Sequence, residues 1–225
     1  MREVIVFDVN ETLLDVRALA PVFRSSVGSD ALVAPWFARM LRNSLISTVT
    51  DRYRRFDEIG VDALVAVARE AGIDIDIANA RAVVDGMRSL PAHPDVPAAL
   101  ERLTDSGLEL ATLTNSAPDV ISDQLRNAGI AHCFEQSISV DGIGVFKPHP
   151  ATYRHAAQRL GTSIDGLRLV AAHDWDVVGA LRAGAHAAYV ARNAPLTVEA
   201  ADMPDIVASD LGAIADQILA LRTAG

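Results

Sequence analysis

The sequence predicts an α/β fold, a parallel sheet covered by helices on both faces and interrupted by an all-helical insertion. Three observations predict it. Short apolar runs alternate with stretches of helical period, glycines follow the helical stretches, and residues 16–90 hold helical patterns without a convincing strand.

Val4 to Phe7, Leu108 to Leu113, Ser137 to Val140, Leu167 to Ala172 and Ala187 to Val190 are predicted as buried strands. Each is too short and too uniformly apolar for an amphipathic helix. Helical stretches run from Pro118 to Ala128, Pro150 to Leu160 and Val177 to Ala183, followed by Gly129, Gly161 and Gly184 as helix stops. In the insertion, Leu41, Leu45 and Val49 share one helical face, as do Val61, Leu64, Val65 and Ala68. Pro91 to Pro97, with three prolines in seven residues, reads as a linker. These boundaries imply an α/β core of residues 1–15 and 91–225 and a helical cap of residues 16–90.

The chain has 225 residues, half of them hydrophobic and 22% charged, enough apolar material for a sizeable core. Its 20 basic and 29 acidic residues give a formal charge of −9, which argues against a nucleic-acid partner. The basic cluster Arg52-Tyr53-Arg54-Arg55 is followed by Asp57 and Glu58 and reads as a solvated helix face. Cys133 is the single cysteine, so no intramolecular disulfide forms, and its neighbours Ala131, His132 and Phe134 suggest a buried structural thiol. No signal-peptide pattern precedes the first strand and no apolar run is long enough to span a bilayer, so a cytoplasmic protein is expected.

In open parallel sheets, ligands bind at the carboxyl ends of the strands. The polar residues there are Asp8-Val9-Asn10-Glu11-Thr12, Thr114-Asn115-Ser116 and His173-Asp174-Trp175-Asp176, with Lys147-Pro148 just before a helix. Any one segment reads equally well as a cap or turn. Their joint appearance on one sheet edge points to a site, and an insertion springing from the first strand would cover it as a lid.

The four segments together resemble the motifs of the haloacid dehalogenase (HAD) superfamily, over nearly the whole chain. Phe7-Asp8-Val9-Asn10-Glu11-Thr12-Leu13-Leu14-Asp15 with Trp175-Asp176 is similar to the type II L-2-haloacid dehalogenases. The resemblance implies a HAD-like Rossmannoid core and hydrolytic dehalogenation of small 2-haloalkanoic acids to 2-hydroxy acids. It implies Asp8 as a nucleophile forming an ester, with no metal and no cofactor. Lys147 matches the lysine that neutralises Asp8, Asp176 the residue that holds Lys147 or a water, and Tyr153 a further family position. Thr12 and Thr114 match hydroxyls that bind the nucleophile and the substrate carboxylate, although Thr114 reads equally as a helix cap. Asn115 matches an orienting amide, and the N–H groups of Val9 and Asn10 would form an anion cradle. A small haloacid substrate and a homodimer are implied as partners.

The pattern also departs from the family. Superfamily phosphatases carry a general-acid aspartate at the position of Asn10, and an amide cannot exchange a proton at neutral pH. The acidic residue expected four positions before Asp176 is Ala172, so one Mg²⁺ ligand is missing, although Asp174 could partly restore it. Ala171 and His173 stand where better-known dehalogenases have Ser and Asn. A neutral imidazole can take a proton from water, which suggests that Glu11 orients His173 to hydrolyse the ester. In place of the family's lid arginine, which directly follows a tryptophan, Trp36 is followed by Phe37. Arg39 is therefore the candidate cation, Arg42 its competitor, and Phe37 a pocket wall. The alternatives are a Mg²⁺-dependent phosphatase and a non-catalytic binding module.

Overall fold

Strand β1 (Val4–Phe7) is buried along its whole length, as a central strand packed on both faces must be. The computed structural model describes residues 3–192 and 195–223. Its sheet has the order β3-β2-β1-β4-β5-β6, with every pairing parallel. The other strands are β2 (Glu109–Thr114), β3 (Gln136–Ser139), β4 (Leu167–Ala171), β5 (His186–Val190) and β6 (Ile206–Ala208). Chain order reverses at β1, which pairs β2 on one side and β4 on the other. Phe7 is level with Thr112 and Val170. Asp8 therefore emerges at the switch point between Thr114 and Ala172, where an open sheet leaves a crevice.

The core helices are α5 (Val96–Asp105), α6 (Pro118–Asn127), α7 (Pro150–Arg159), α8 (Asp174–Ala183) and α9 (Leu211–Thr223). Gly129 follows α6 at φ 74°, a left-handed conformation open to glycine without strain. The proline-rich linker is shorter than its composition suggests. Pro97 lies in the first turn of α5, where a missing N–H costs nothing. Strand β6 escaped sequence reading because it has three residues, of which only Ile206 is buried.

Between β1 and α5 lie α1 (Ala20–Val27), α2 (Val33–Val49), α3 (Phe56–Glu70) and α4 (Ile77–Asp85). The α2 stripe read from the sequence points the wrong way: Leu45 is 41% exposed and Val49 84%. The buried face is Val33, Trp36, Phe37, Met40, Ser44 and Ser47. Two aromatic rings bury more apolar area than one leucine and one valine, so they decide the rotation of the helix. Trp36 packs on Phe23 with ring centroids 5.2 Å apart and donates Nε1–H to the Gly60 carbonyl at 2.9 Å.

Arg52 to Arg55 is a loop rather than a helix face, and it docks on the core. Tyr53 donates to Asp141 at 2.6 Å and stacks on Phe146, centroids 5.0 Å apart. Arg55 and Arg88 both grip Asp119 of α6, at 2.8 and 2.7 Å. Cys133 is buried, as expected. Among the described residues, no helix is long and apolar enough to cross a membrane.

Candidate active site

Four strand-end segments converge on Asp8. Lys147 donates from Nζ to Asp8 Oδ1 at 2.7 Å, to Asp176 Oδ2 at 2.7 Å and to the Leu113 carbonyl at 2.9 Å. All three ammonium protons are thus used. Thr12 donates to Asp8 Oδ2 at 2.6 Å and accepts the Ala172 N–H at 2.9 Å. Tyr153, fully buried on α7, donates to Asp176 Oδ1 at 2.6 Å. Asn115 Oδ1 accepts the Lys147 backbone N–H at 3.1 Å. Thr114 Oγ1 accepts the Ser116 N–H at 3.1 Å, a turn-capping contact.

The two carboxylates are driven apart electrostatically. Burial pushes Asp8 up, but the Lys147 charge and the bonds from Lys147 and Thr12 hold it below the ordinary carboxylate range. Burial also raises Asp176; Lys147 pulls it down, yet the neighbouring Asp8 charge leaves it raised. Burial would lower Lys147, and the two carboxylates keep it above its ordinary value. Asp8 is therefore the carboxylate kept ionised, with Asp176 as the other half of a differentiated pair.

The loop after β1 is clamped along its backbone. Glu11 lies at φ 62°, a region that costs a residue with a side chain. Three successive carbonyls meet side-chain nitrogens: Asn10 O meets His173 Nε2 at 3.2 Å, Glu11 O meets His93 Nε2 at 3.1 Å, and Thr12 O accepts from Arg192 Nε at 2.8 Å. A carbonyl only accepts, so Nε2 carries the proton in both histidines. Val9 and Asn10 are buried at the turn, with their backbone N–H groups directly after Asp8. The Asn10 side chain spends both ends elsewhere, donating to Ser116 Oγ at 3.2 Å and accepting from Gln124 Nε2 at 2.9 Å.

His173 corrects one expectation. Its ring lies between Phe37 and Trp175, with centroids 6.2 and 5.0 Å away. Glu11 Oε2 stands 3.8 Å from Nε2, too far for a hydrogen bond, and Asp8 Oδ2 stands at 3.9 Å. The group that orients the imidazole is the Asn10 carbonyl, and the neutral ring then carries its lone pair on Nδ1.

Arg39 also moves out of the site, because α2 turns its guanidinium to Glu70 on α3, at 2.7 and 2.8 Å. Its competitor Arg42 lines a cavity of about 280 Å³ with Ala38, Leu41, Ser44, Leu45, Lys147 and Trp175. The cavity adjoins the Lys147 that holds Asp8, which places Arg42 as a lid cation on its wall.

A Mg²⁺ ion does not fit these residues. The Lys147 ammonium takes the point between Asp8 and Asp176, position 172 is alanine, and the Asn10 amide is committed to Ser116 and Gln124. Asp174, the substitute ligand considered from sequence, is exposed and caps the Trp175 N–H at 2.7 Å.

The model of the haloacid dehalogenase-like hydrolases matches residues 3–183. The chain belongs to this family. A haloacid dehalogenase-like hydrolase from Pseudomonas putida, the (S)-2-haloacid dehalogenase H-109, is 30% identical over 96% of this chain and 98% of its own. Haloacetate dehalogenase H-2 of Moraxella sp. (strain B) is 29% identical, covering 94% of this chain and 96% of its own. Among solved structures, an L-2-haloacid dehalogenase of Xanthobacter autotrophicus with covalently bound chloropropionic acid superposes with a TM-score of 0.91 at 27% identity, covering 97% and 99% of the two chains.

In this haloacid dehalogenase-like hydrolase, Gly179 of α8 makes room for the Asp176 partners. A Cβ there would lie 2.5 Å from both the Tyr153 hydroxyl and Pro148 Cβ. Gly179→Ala is expected to cost about 1–3 kcal/mol, the usual penalty for overpacking. Urea denaturation checks it as a lowered midpoint; an unmoved midpoint would show that Tyr153 yields freely.

Sequence reading missed His93, Arg192 and Gln124. His93 sits in the proline-rich stretch, Arg192 follows β5, and Gln124 lies inside a helix, so none stands in a motif segment.

Proposed function

We propose that this chain hydrolytically dehalogenates small 2-haloalkanoic acids to 2-hydroxy acids through an ester on Asp8, without a metal. The observation that carries the reading is the Lys147 ammonium, 2.7 Å from both Asp8 and Asp176. It supplies the positive charge that a buried nucleophilic carboxylate needs, and it does so without a cation ligand set. The covalently bound chloropropionic acid in the Xanthobacter relative supports the same chemistry.

In the first step the ionised Asp8 attacks C2 of the haloacid and the halide departs with the C–X electrons. The substrate carboxylate is assigned to the N–H groups of Val9 and Asn10, and the leaving halide to Arg42. Phe37, Trp175 and Leu45 wall the site against water. In the second step a water attacks the Asp8 ester carbonyl and passes its proton to His173 Nδ1. The imidazolium returns that proton to the departing alkoxide, which leaves as the 2-hydroxy acid, and the second water proton passes to solvent as Asp8 returns to a carboxylate. Glu11, 3.8 Å from Nε2, and the two flanking rings stabilise the imidazolium that forms. Residues 16–90 act as the cap over a core of residues 1–15 and 91–225. The enzyme is assigned to the cytoplasm as a homodimer, a state light scattering checks.

Halide release from chloro-, bromo- and fluoroacetate that persists in EDTA is the expected result. Mg²⁺-dependent phosphate release from a generic phosphoester, with no halide release, would replace this reading with phosphoryl transfer. His173→Ala is expected to slow ester hydrolysis by about 10²- to 10⁴-fold, the range for a lost general base. Mass spectrometry would then find the ester accumulated on Asp8, after one equivalent of halide. Steady turnover at the wild-type rate would remove His173 from the second step.

A further inference from the structure

We infer that Gln124 is a positioning residue for ester hydrolysis, acting through Asn10 to set which imidazole nitrogen of His173 carries the proton. The inference rests on the role of His173 proposed above. Gln124 is wholly buried on α6, among Val120, Ile121 and Leu125. Its Nε2 donates to Asn10 Oδ1 at 2.9 Å and to the Met87 carbonyl at 3.1 Å. Its Oε1 is buried and has no hydrogen-bond partner among the described residues. An apolar side chain of the same length would fill this space without that desolvation cost.

What the cost secures is the Asn10 side chain, held at its other end by Ser116 Oγ. Ser116 is itself tied to β3, since Ser139 donates to its carbonyl at 2.7 Å. With its side chain held at both ends and the left-handed Glu11 following, the peptide after Asn10 has little freedom to rotate. Its carbonyl therefore stays on His173 Nε2, the proton stays there, and the lone pair stays on Nδ1. The amide that replaces a phosphatase's general acid thus works from its backbone, and Gln124 holds it in place.

Gln124→Leu removes the hold while keeping the volume. In ¹⁵N-histidine-labelled protein, with His173 assigned by comparison with His173→Asn, the wild type is expected to show protonated Nε2 and bare Nδ1. Gln124→Leu is expected to show a mixture of the two tautomers. Rapid-quench kinetics with 2-chloropropionate should show ester hydrolysis slowed about tenfold, and ester formation, which also uses the Asn10 N–H, slowed less. Gln124→Met serves as a second variant should the leucine variant fail to fold. An unmixed Nε2–H tautomer in a folded variant, or both steps slowed equally, would overturn the inference. Wild-type protein that releases no halide would instead defeat the proposed reaction, and the tautomer measurement would still decide the role of Gln124.

Discussion

Asp8→Asn is expected to abolish halide release, with kcat lower by on the order of 10⁴-fold or more, the scale of a lost nucleophile. An amide oxygen carries no charge to deliver to carbon, and no second carboxylate can take over. Asp176 is held on the far side of Lys147 by that ammonium and by Tyr153. Glu11 is raised by burial and stands behind the His173 imidazole nitrogen. The fold should survive, because an asparagine carbonyl still accepts from Lys147 and its amide can donate to the Thr12 oxygen. Single-turnover halide measurement checks the loss. Activity within about tenfold of wild type would mean that water attacks the substrate directly and that Asp8 acts only as a charge.

Lys147→Met should have the largest effect on stability. It removes the single cation between two buried carboxylates that otherwise face each other, and breaking such a set from one side costs about 3–5 kcal/mol. The loss should shrink as pH falls. Without Lys147 the carboxyls are raised by burial and mutual repulsion, and protonating one relieves the repulsion. Urea denaturation at neutral and mildly acidic pH is the measurement. Equal destabilisation at both pH values would show that charge repulsion is not the cause. Catalysis should be lost at either pH, because protonating Asp8 disarms the nucleophile.

Most of the sheet was legible because a parallel strand buried on both faces leaves an unbroken apolar run, as in Val4 to Phe7. Strand β6 was not, because three residues at a sheet edge carry no such run. The insertion was legible as helical from its period, but the orientation of α2 was not. Leu41, Leu45 and Val49 form a good stripe, and only the mass of Trp36 and Phe37 shows which stripe is buried. At the site, the converging segments around Asp8, Lys147, Tyr153 and Asp176 could be read because each follows a strand or opens a helix. The link from Asn10 to Gln124 and the clamp from Arg192 depend on contacts across more than a hundred residues. Arg39 and Arg42 differ by less than one helical turn, and sequence spacing cannot tell which one meets Glu70.

The ester on Asp8 is tested most directly by one turnover in H₂¹⁸O with enzyme in excess over 2-chloropropionate. Carbon attack by Asp8 followed by water attack at the ester carbonyl places ¹⁸O in the Asp8 carboxylate, readable in the peptide that contains Phe7, Asp8 and Val9. The lactate from that turnover should carry ordinary oxygen taken from the enzyme. Lactate labelled with ¹⁸O, beside an unlabelled Asp8 peptide, would contradict the ester.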